Sequence, residues 1–135
     1  MKLLVVNGPN LNLLGTRETQ IYGNVTFDAY FEDLKSNTSH DLQYFQSNVE
    51  GELINVLQQA QVDGIILNAG GYTHTSVALR DCIAAISTPV VEVHISNIAA
   101  RESFRHESLI SPVCKGCIFG FGLEAYRLAI QAFEL

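Results

Sequence analysis

Five short strand-like runs, most of them apolar and Asp41–Ser47 alternating, are interleaved with stretches of helical spacing, and this alternation limits the fold more than any other feature of the chain. The runs are Lys2–Val6, Asp41–Ser47, Val62–Leu67, Val90–Ile95 and Val113–Phe121. Their length and their content of β-branched and aromatic residues read as strands. Between them, Phe27, Tyr30, Phe31 and Leu34 follow i, i+3, i+4, i+7 spacing, with Thr26 as the expected cap. Asn48 is the expected cap of a second helix with Leu53, Val56, Leu57 and Ala60 as its buried stripe. Val77–Ile86 has helical spacing, capped by Thr73, Thr75 or Ser76, and Leu123, Tyr126, Ala129, Ile130 and Phe133 form the apolar face of a last helix. Strands alternating with helices imply a parallel sheet covered on both faces, a doubly wound α/β domain. The expected arrangement is flavodoxin-like, with strand order 2-1-3-4-5 and a switch point between strands one and three. A length of 135 residues suits one core, and no linker or repeat divides the chain, so residues 1–135 are expected to form a single catalytic domain.

Composition removes several function classes. The formal net charge is −6, which disfavours nonspecific nucleic-acid binding. No apolar run reaches roughly 18 residues, so no membrane span is expected. Met1–Val6 is too short for a signal peptide and runs straight into Asn7-Gly8-Pro9-Asn10, which makes a cytoplasmic location the expectation. Cys82, Cys114 and Cys117 are an odd set, read as reduced and structural, and no His, Cys and carboxylate set has ligand spacing for a metal. Lys2, Lys35 and Lys115 lie outside the expected ligand-binding mouth, which disfavours a Schiff base. Neither a phosphate loop, nor a dinucleotide fingerprint, nor a nucleophile elbow is present.

Three polar clusters converge on the carboxyl ends of the strands. The first is the long loop Asn7–Gly23, with Asn10, Arg17 and Tyr22. The second is Asn68-Ala-Gly-Gly-Tyr-Thr-His-Thr-Ser76, where Gly70 and Gly71 allow a tight turn and close approach by a ligand, and Asn68 and His74 offer donors. The third is strand four. Glu92 and His94 are two apart and therefore share a face. A carboxylate beside an imidazole fixes its tautomer and favours the charged ring. A structurally satisfied histidine is the plainer alternative. Ile95, Ser96 and Asn97 follow, and Arg101 and Arg105 are four apart, facing one way if the segment is a short helix. Two guanidinium groups there could clamp a carboxylate; a solvated surface pairing with Glu102 and Glu107 explains them equally.

Tyrosine, histidine, arginine and amides suit proton transfer. A phenol of pKa about 10 is only about one part in a thousand ionised at pH 7. A guanidinium within a few Å lowers that by roughly one to three units, so Arg17 beside Tyr22 would make a usable base. His94 could then supply a proton to a leaving hydroxyl, and an amide such as Asn10 could steady an enolate.

Taken together, Asn7–Glu18, Ile21-Tyr22-Gly23, Ile66–Asp81, Val91–Asn97 and Arg101–His106 resemble the type II 3-dehydroquinate dehydratases over essentially the whole chain, in the same order. The resemblance implies a shikimate-pathway hydro-lyase that converts 3-dehydroquinate to 3-dehydroshikimate without cofactor or metal. It implies Tyr22 as the base for the C2 proton, with Arg17 beside it. It implies His94 as proton donor to the C1 hydroxyl, Glu92 as its partner, and Asn10 acting with a water on the enolate. Asn68, His74, Ile95, Ser96 and Arg105 match substrate-binding positions, and Arg101 a structural or lid-pairing arginine. Asp81 matches a residue that reaches the site from a neighbouring subunit in a dodecamer built of trimers. Two rivals stand beside this reading: a flavodoxin-like module holding a nucleotide or flavin, and a purely structural subunit. The first would need a hydroxyl-rich cradle after strand one; the second leaves the polar residues within strand four unexplained.

Overall fold

The computed structural model describes residues 1–16 and 25–135. The strands are β1 (Lys2–Asn7), β2 (Asp41–Gln46), β3 (Gly64–Asn68), β4 (Val90–His94) and β5 (Gly116–Phe119). The described α-helices are α1 (Phe27–Ser36), α2 (Glu50–Gln59), α3 (Val77–Ala85) and α4 (Glu124–Phe133). Every strand pairing is parallel, and the order is β2-β1-β3-β4-β5, the flavodoxin-like arrangement expected from the alternation.

The period of two along each strand sorts the core into two layers. Leu3, Val5, Ile66, Val91 and Val93 pack with Phe27, Phe31, Leu34, Tyr126 and Ile130 of α1 and α4. Leu4, Val6, Ile65, Leu67 and Val90 pack with Leu53, Leu57, Leu79 and Ile83 of α2 and α3 on the other face. Truncating one of these fully buried leucines to alanine would cost about 2–5 kcal/mol. None of the described helices is long and apolar enough to cross a membrane.

Local signals hold where a side chain has no competing partner. Thr26 accepts from the Ala29 N–H at 3.3 Å, and Ser76 from the Leu79 N–H at 2.9 Å, so both caps form. Asn48, however, does not cap α2: the cap position is Val49. The Asn48 side-chain oxygen instead accepts from the Asn10 N–H at 3.0 Å and from Gln46 Nε2 at 3.2 Å, bracing the start of the first loop. The last strand is shorter than Val113–Phe121. Ser111–Val113, with Pro112, forms a 3-10 turn, and Gly120, Phe121 and Gly122 all take positive φ, which ends the ladder. Nor do Arg101 and Arg105 share one helix. Ile98–Ala100 and Ser103–Arg105 are separate 3-10 turns, and Arg101 is extended between them.

Candidate active site

The cleft lies across the carboxyl ends of β1, β3 and β4, where strand order reverses direction and helices no longer cover the sheet. Two glycines let the first two strand ends approach. A Cβ on Gly8 would sit 2.7 Å from the Ala69 carbonyl oxygen, and Gly8 N–H donates to the Asn68 carbonyl at 2.7 Å. Gly70 has φ +59° and faces the Pro9 carbonyl, so only glycine turns there without strain. Gly71 does not share this need: its φ is ordinary and space above it is open, which leaves room for a ligand.

Asn10, Asn68, Gly70, Gly71 and His74 line one side of the cleft. His94, Ile95, Ser96, Arg101 and Arg105 line the other. Its volume is about 230 Å³, below the roughly 300–1,000 Å³ of drug-sized ligand pockets, so it suits a small molecule better than a nucleotide. Among the described residues the lining carries arginine and histidine but no carboxylate. The mouth is therefore locally cationic on a chain of net charge −6. Asp81 is exposed on α3 and does not line the cleft. Arg17 and Tyr22 lie outside the described residues. His40, read from sequence as a surface turn residue, bonds Glu134 at 2.9 Å beyond the amino end of β2, away from the cleft.

The wall on the β4 side is built around a buried carboxylate. Glu92 is 0% exposed and His94 5%, and His94 Nε2 donates to Glu92 Oε2 at 2.5 Å. The tautomer follows from the carboxylate, which can only accept. That leaves Nδ1 as the ring nitrogen available to a ligand. Ser108 Oγ lies 2.9 Å from Oε2, and the Ser111 hydroxyl donates to Oε1. Burial pushes the Glu92 carboxyl up, but the hydrogen bonds from His94, Ser111 and Ser108 and the attraction of the imidazole outweigh it. The carboxyl consequently sits below its ordinary range. The two serines escaped the sequence reading. A buried carboxylate does demand several donors, but only the fold of the loop before β5 shows which hydroxyls supply them.

The opposite wall rests on a neutral network. Asn68 Nδ2 donates to the Tyr126 hydroxyl at 3.0 Å, and that hydroxyl donates to Asn7 Oδ1 at 2.7 Å. Asn68 Oδ1 accepts from Gly70 N–H at 3.2 Å. One amide hydrogen of Asn68 remains for a ligand. Tyr126 is wholly buried, and burial pushes its phenol far up, so it stays neutral. His74 Nδ1 is anchored by the Glu107 carbonyl at 2.7 Å, and its ring lies 6.3 Å from that of His94. Arg105 Nε donates to Glu102 at 2.6 Å, while Arg101 Nη1 donates to Ser96 Oγ at 3.3 Å. The Ile95 side chain is buried in the layer beneath α1 and α4, so its contribution to the cleft is backbone.

The family model described as dehydroquinase class II matches residues 1–134. The chain belongs to this family. Among its relatives, a 3-dehydroquinate dehydratase of an Exiguobacterium species is 55% identical over 135 residues, covering 98% of this chain and 93% of that one. A 3-dehydroquinate dehydratase of Campylobacter jejuni is 52% identical over 136 residues, covering 97% and 86%. The crystal structure of a type II dehydroquinase from Butyrivibrio crossotus superposes with a TM-score of 0.95 at 44% identity, covering 100% of this chain and 98% of that one. Membership of the class II dehydroquinases agrees with the resemblance drawn from the sequence motifs, and with a cleft whose polar residues come from three strand ends.

Proposed function

We propose that this class II dehydroquinase eliminates water from 3-dehydroquinate to give 3-dehydroshikimate, by a stepwise anti elimination through an enolate. The observation that carries the mechanism is the His94–Glu92 pair at the wall of a cationic cleft. Arg105 and the backbone of Ile95 and Ser96 grip the substrate, whose carboxylate suits the guanidinium. Asn68 and His74 hold its hydroxyls. Tyr22, made acidic by Arg17, removes the C2 proton, and Asn10 with a water steadies the enolate oxygen. His94 acts in its doubly protonated form: with Nε2–H tied to Glu92, it passes the Nδ1 proton to the departing C1 hydroxyl and is left neutral. Two steps of modest barrier thereby replace one difficult step.

Arg101 supports this wall through Ser96. Asp81, outside the cleft of its own chain, acts in the site of a neighbouring subunit within a dodecamer of trimers. The reaction needs no cofactor and no metal, and the enzyme works in the cytoplasm as part of aromatic amino-acid biosynthesis.

The test is to mix purified protein with 3-dehydroquinate and follow the ultraviolet absorbance of the conjugated enone. Absorbance should rise with the parent enzyme. A Tyr22→Phe variant should bind substrate and fail to turn it over; full turnover in that variant would remove Tyr22 from the role of base.

A further inference from the structure

The sheet register sets Cys117 of β5 directly beside Glu92 of β4, and register partners point to the same face. His94, two residues further along β4, points that way too. One ligand atom from each of Glu92, His94 and Cys117 lies within 4.8 Å of the other two. Glu92 and His94 are buried, whereas Cys117 is exposed and opens the group to solvent. Neither Glu92 nor Cys117 lines the cleft. The cluster therefore sits behind His94, on the far side of the ring from the substrate.

We propose that Glu92, His94 and Cys117 form a binding site for a divalent cation of the zinc and cadmium class, and that an ion held there switches turnover off. Carboxylate, imidazole and thiolate are all zinc ligands, and three of them with a water complete a tetrahedron. The sulfur selects borderline and soft ions over magnesium and calcium, which prefer all-oxygen sets. One carboxylate and one thiolate neutralise the charge of the dication. Ser108 and Ser111 already hold the carboxylate, an outer shell of the kind that orients metal ligands. Around zinc, ligand atoms stand about 3.5 Å apart, so the His94–Glu92 pair, now 2.5 Å apart, must open by about 1 Å while Cys117 closes in. Cys117 can supply its part of that movement, because β5 is an edge strand that, among the described residues, pairs with β4 alone.

Binding changes no oxidation state. The Cys117 thiol gives its proton to the buffer as the sulfur–metal bond forms. In the neutral ring, the proton between Nε2 and Glu92 moves through solvent to Nδ1, and the Nε2 lone pair goes to the ion. One proton leaves per ion bound. The ring then loses its carboxylate partner and is fixed as a ligand, while the cleft in front of it stays open. Turnover should fall with little change in substrate binding.

The experiment titrates the whole enzyme with cadmium chloride and, separately, zinc chloride. It follows the thiolate-to-cadmium absorbance in the ultraviolet and the enone rate on matched samples. One cadmium per chain should saturate the absorbance as kcat falls and KM holds, and EDTA should reverse both. Magnesium should do neither. Cys117→Ala, which leaves uninhibited turnover unchanged, should abolish the absorbance and raise the zinc concentration for half-inhibition by at least about tenfold. Cys114→Ala should behave as the parent. Absorbance that survives Cys117→Ala, or half-inhibition unmoved by it, would overturn the site. Absorbance that depends on Cys117 with turnover unaffected would overturn the switch. The inhibition rests on His94 as the proton donor, whereas the cadmium signal reads the ion whether or not that role is right.

Discussion

Two buried polar networks support the same cleft from opposite faces of the sheet, and they differ in one property. Behind His94, on the α2 and α3 side, Glu92 brings a full charge into the interior, met by an imidazole and two serine hydroxyls. Beneath Asn68, on the α1 and α4 side, Asn7 and Tyr126 form a network with no charge in it. A charged network can balance a positive charge that forms beside it. A neutral one can only fix positions and satisfy buried groups. On the proposed mechanism, the part of the wall that handles protons and the part that sets geometry lie on opposite faces of the sheet.

The sharpest way to break this contrast is Glu92→Gln. The amide keeps the shape of the carboxyl but loses its charge and part of its accepting capacity. Positioned proton transfer is worth about 10²- to 10⁴-fold in rate, so kcat in the enone assay should fall within that range while KM changes little. Loss of KM alone would mean that Glu92 only shapes the cleft.

Tyr126→Phe tests the neutral side. It leaves Asn7 Oδ1 and one Asn68 amide hydrogen buried without their partner, at about 1–3 kcal/mol. Urea unfolding should show this loss, and kcat should fall less than in Glu92→Gln. A kcat loss as large as that of Glu92→Gln would show that the two walls are not separate.

A smaller effect concerns pH. The Glu92 carboxyl is held below its ordinary value of 4.5 in the folded protein. Between the two values the unfolded chain binds more protons than the folded one. The stabilisation is therefore fully present above about pH 4.5 and fades as pH falls through the folded value. Ser108→Ala removes one donor and brings the folded value back toward 4.5. It should cost about 1 kcal/mol at neutral pH, with a shallower loss of stability in acid than the parent shows. Thermal unfolding across that pH range measures it.

The smallest signal is in the thiols. Burial, then the Glu92 charge, pushes Cys117 up to about 11 and Cys114 up to about 12. At pH 8 both should remain protonated, and iodoacetamide should label Cys117 slowly despite its exposure. Labelling should quicken in Glu92→Gln, where the charge is gone, and an equal rate in both proteins would remove the Glu92 charge as the cause.

Much of the fold could be read in the chain because the deciding signals were local. Thr26 and Ser76 cap as their positions suggest, and among the described residues neither side chain has another hydrogen-bond partner. Asn48 was misread because its oxygen is taken by the backbone of Asn10, a partner far along the chain. The last strand was read too long because apolar residues continue past the point where left-handed backbone stops the ladder. In the site, His94 and Glu92 were visible as a pair because a period of two puts them on one face. Ser108, Ser111, Cys117 and Tyr126 were not visible in their roles, because each meets its partner from another element.

By itself the sequence determined the alternation of elements, the parallel sheet, the family, and the residue types available at the carboxyl ends of the strands. These follow from periodicity and from motifs within a few residues of one another, where chain geometry alone sets the spacing. Tertiary structure decided which hydroxyls hold Glu92, that Cys117 stands beside it, and that Tyr126 joins Asn7 to Asn68. Those contacts depend on strand register and on helix docking, which are set by the packing of whole layers and leave no local trace in the order of residues.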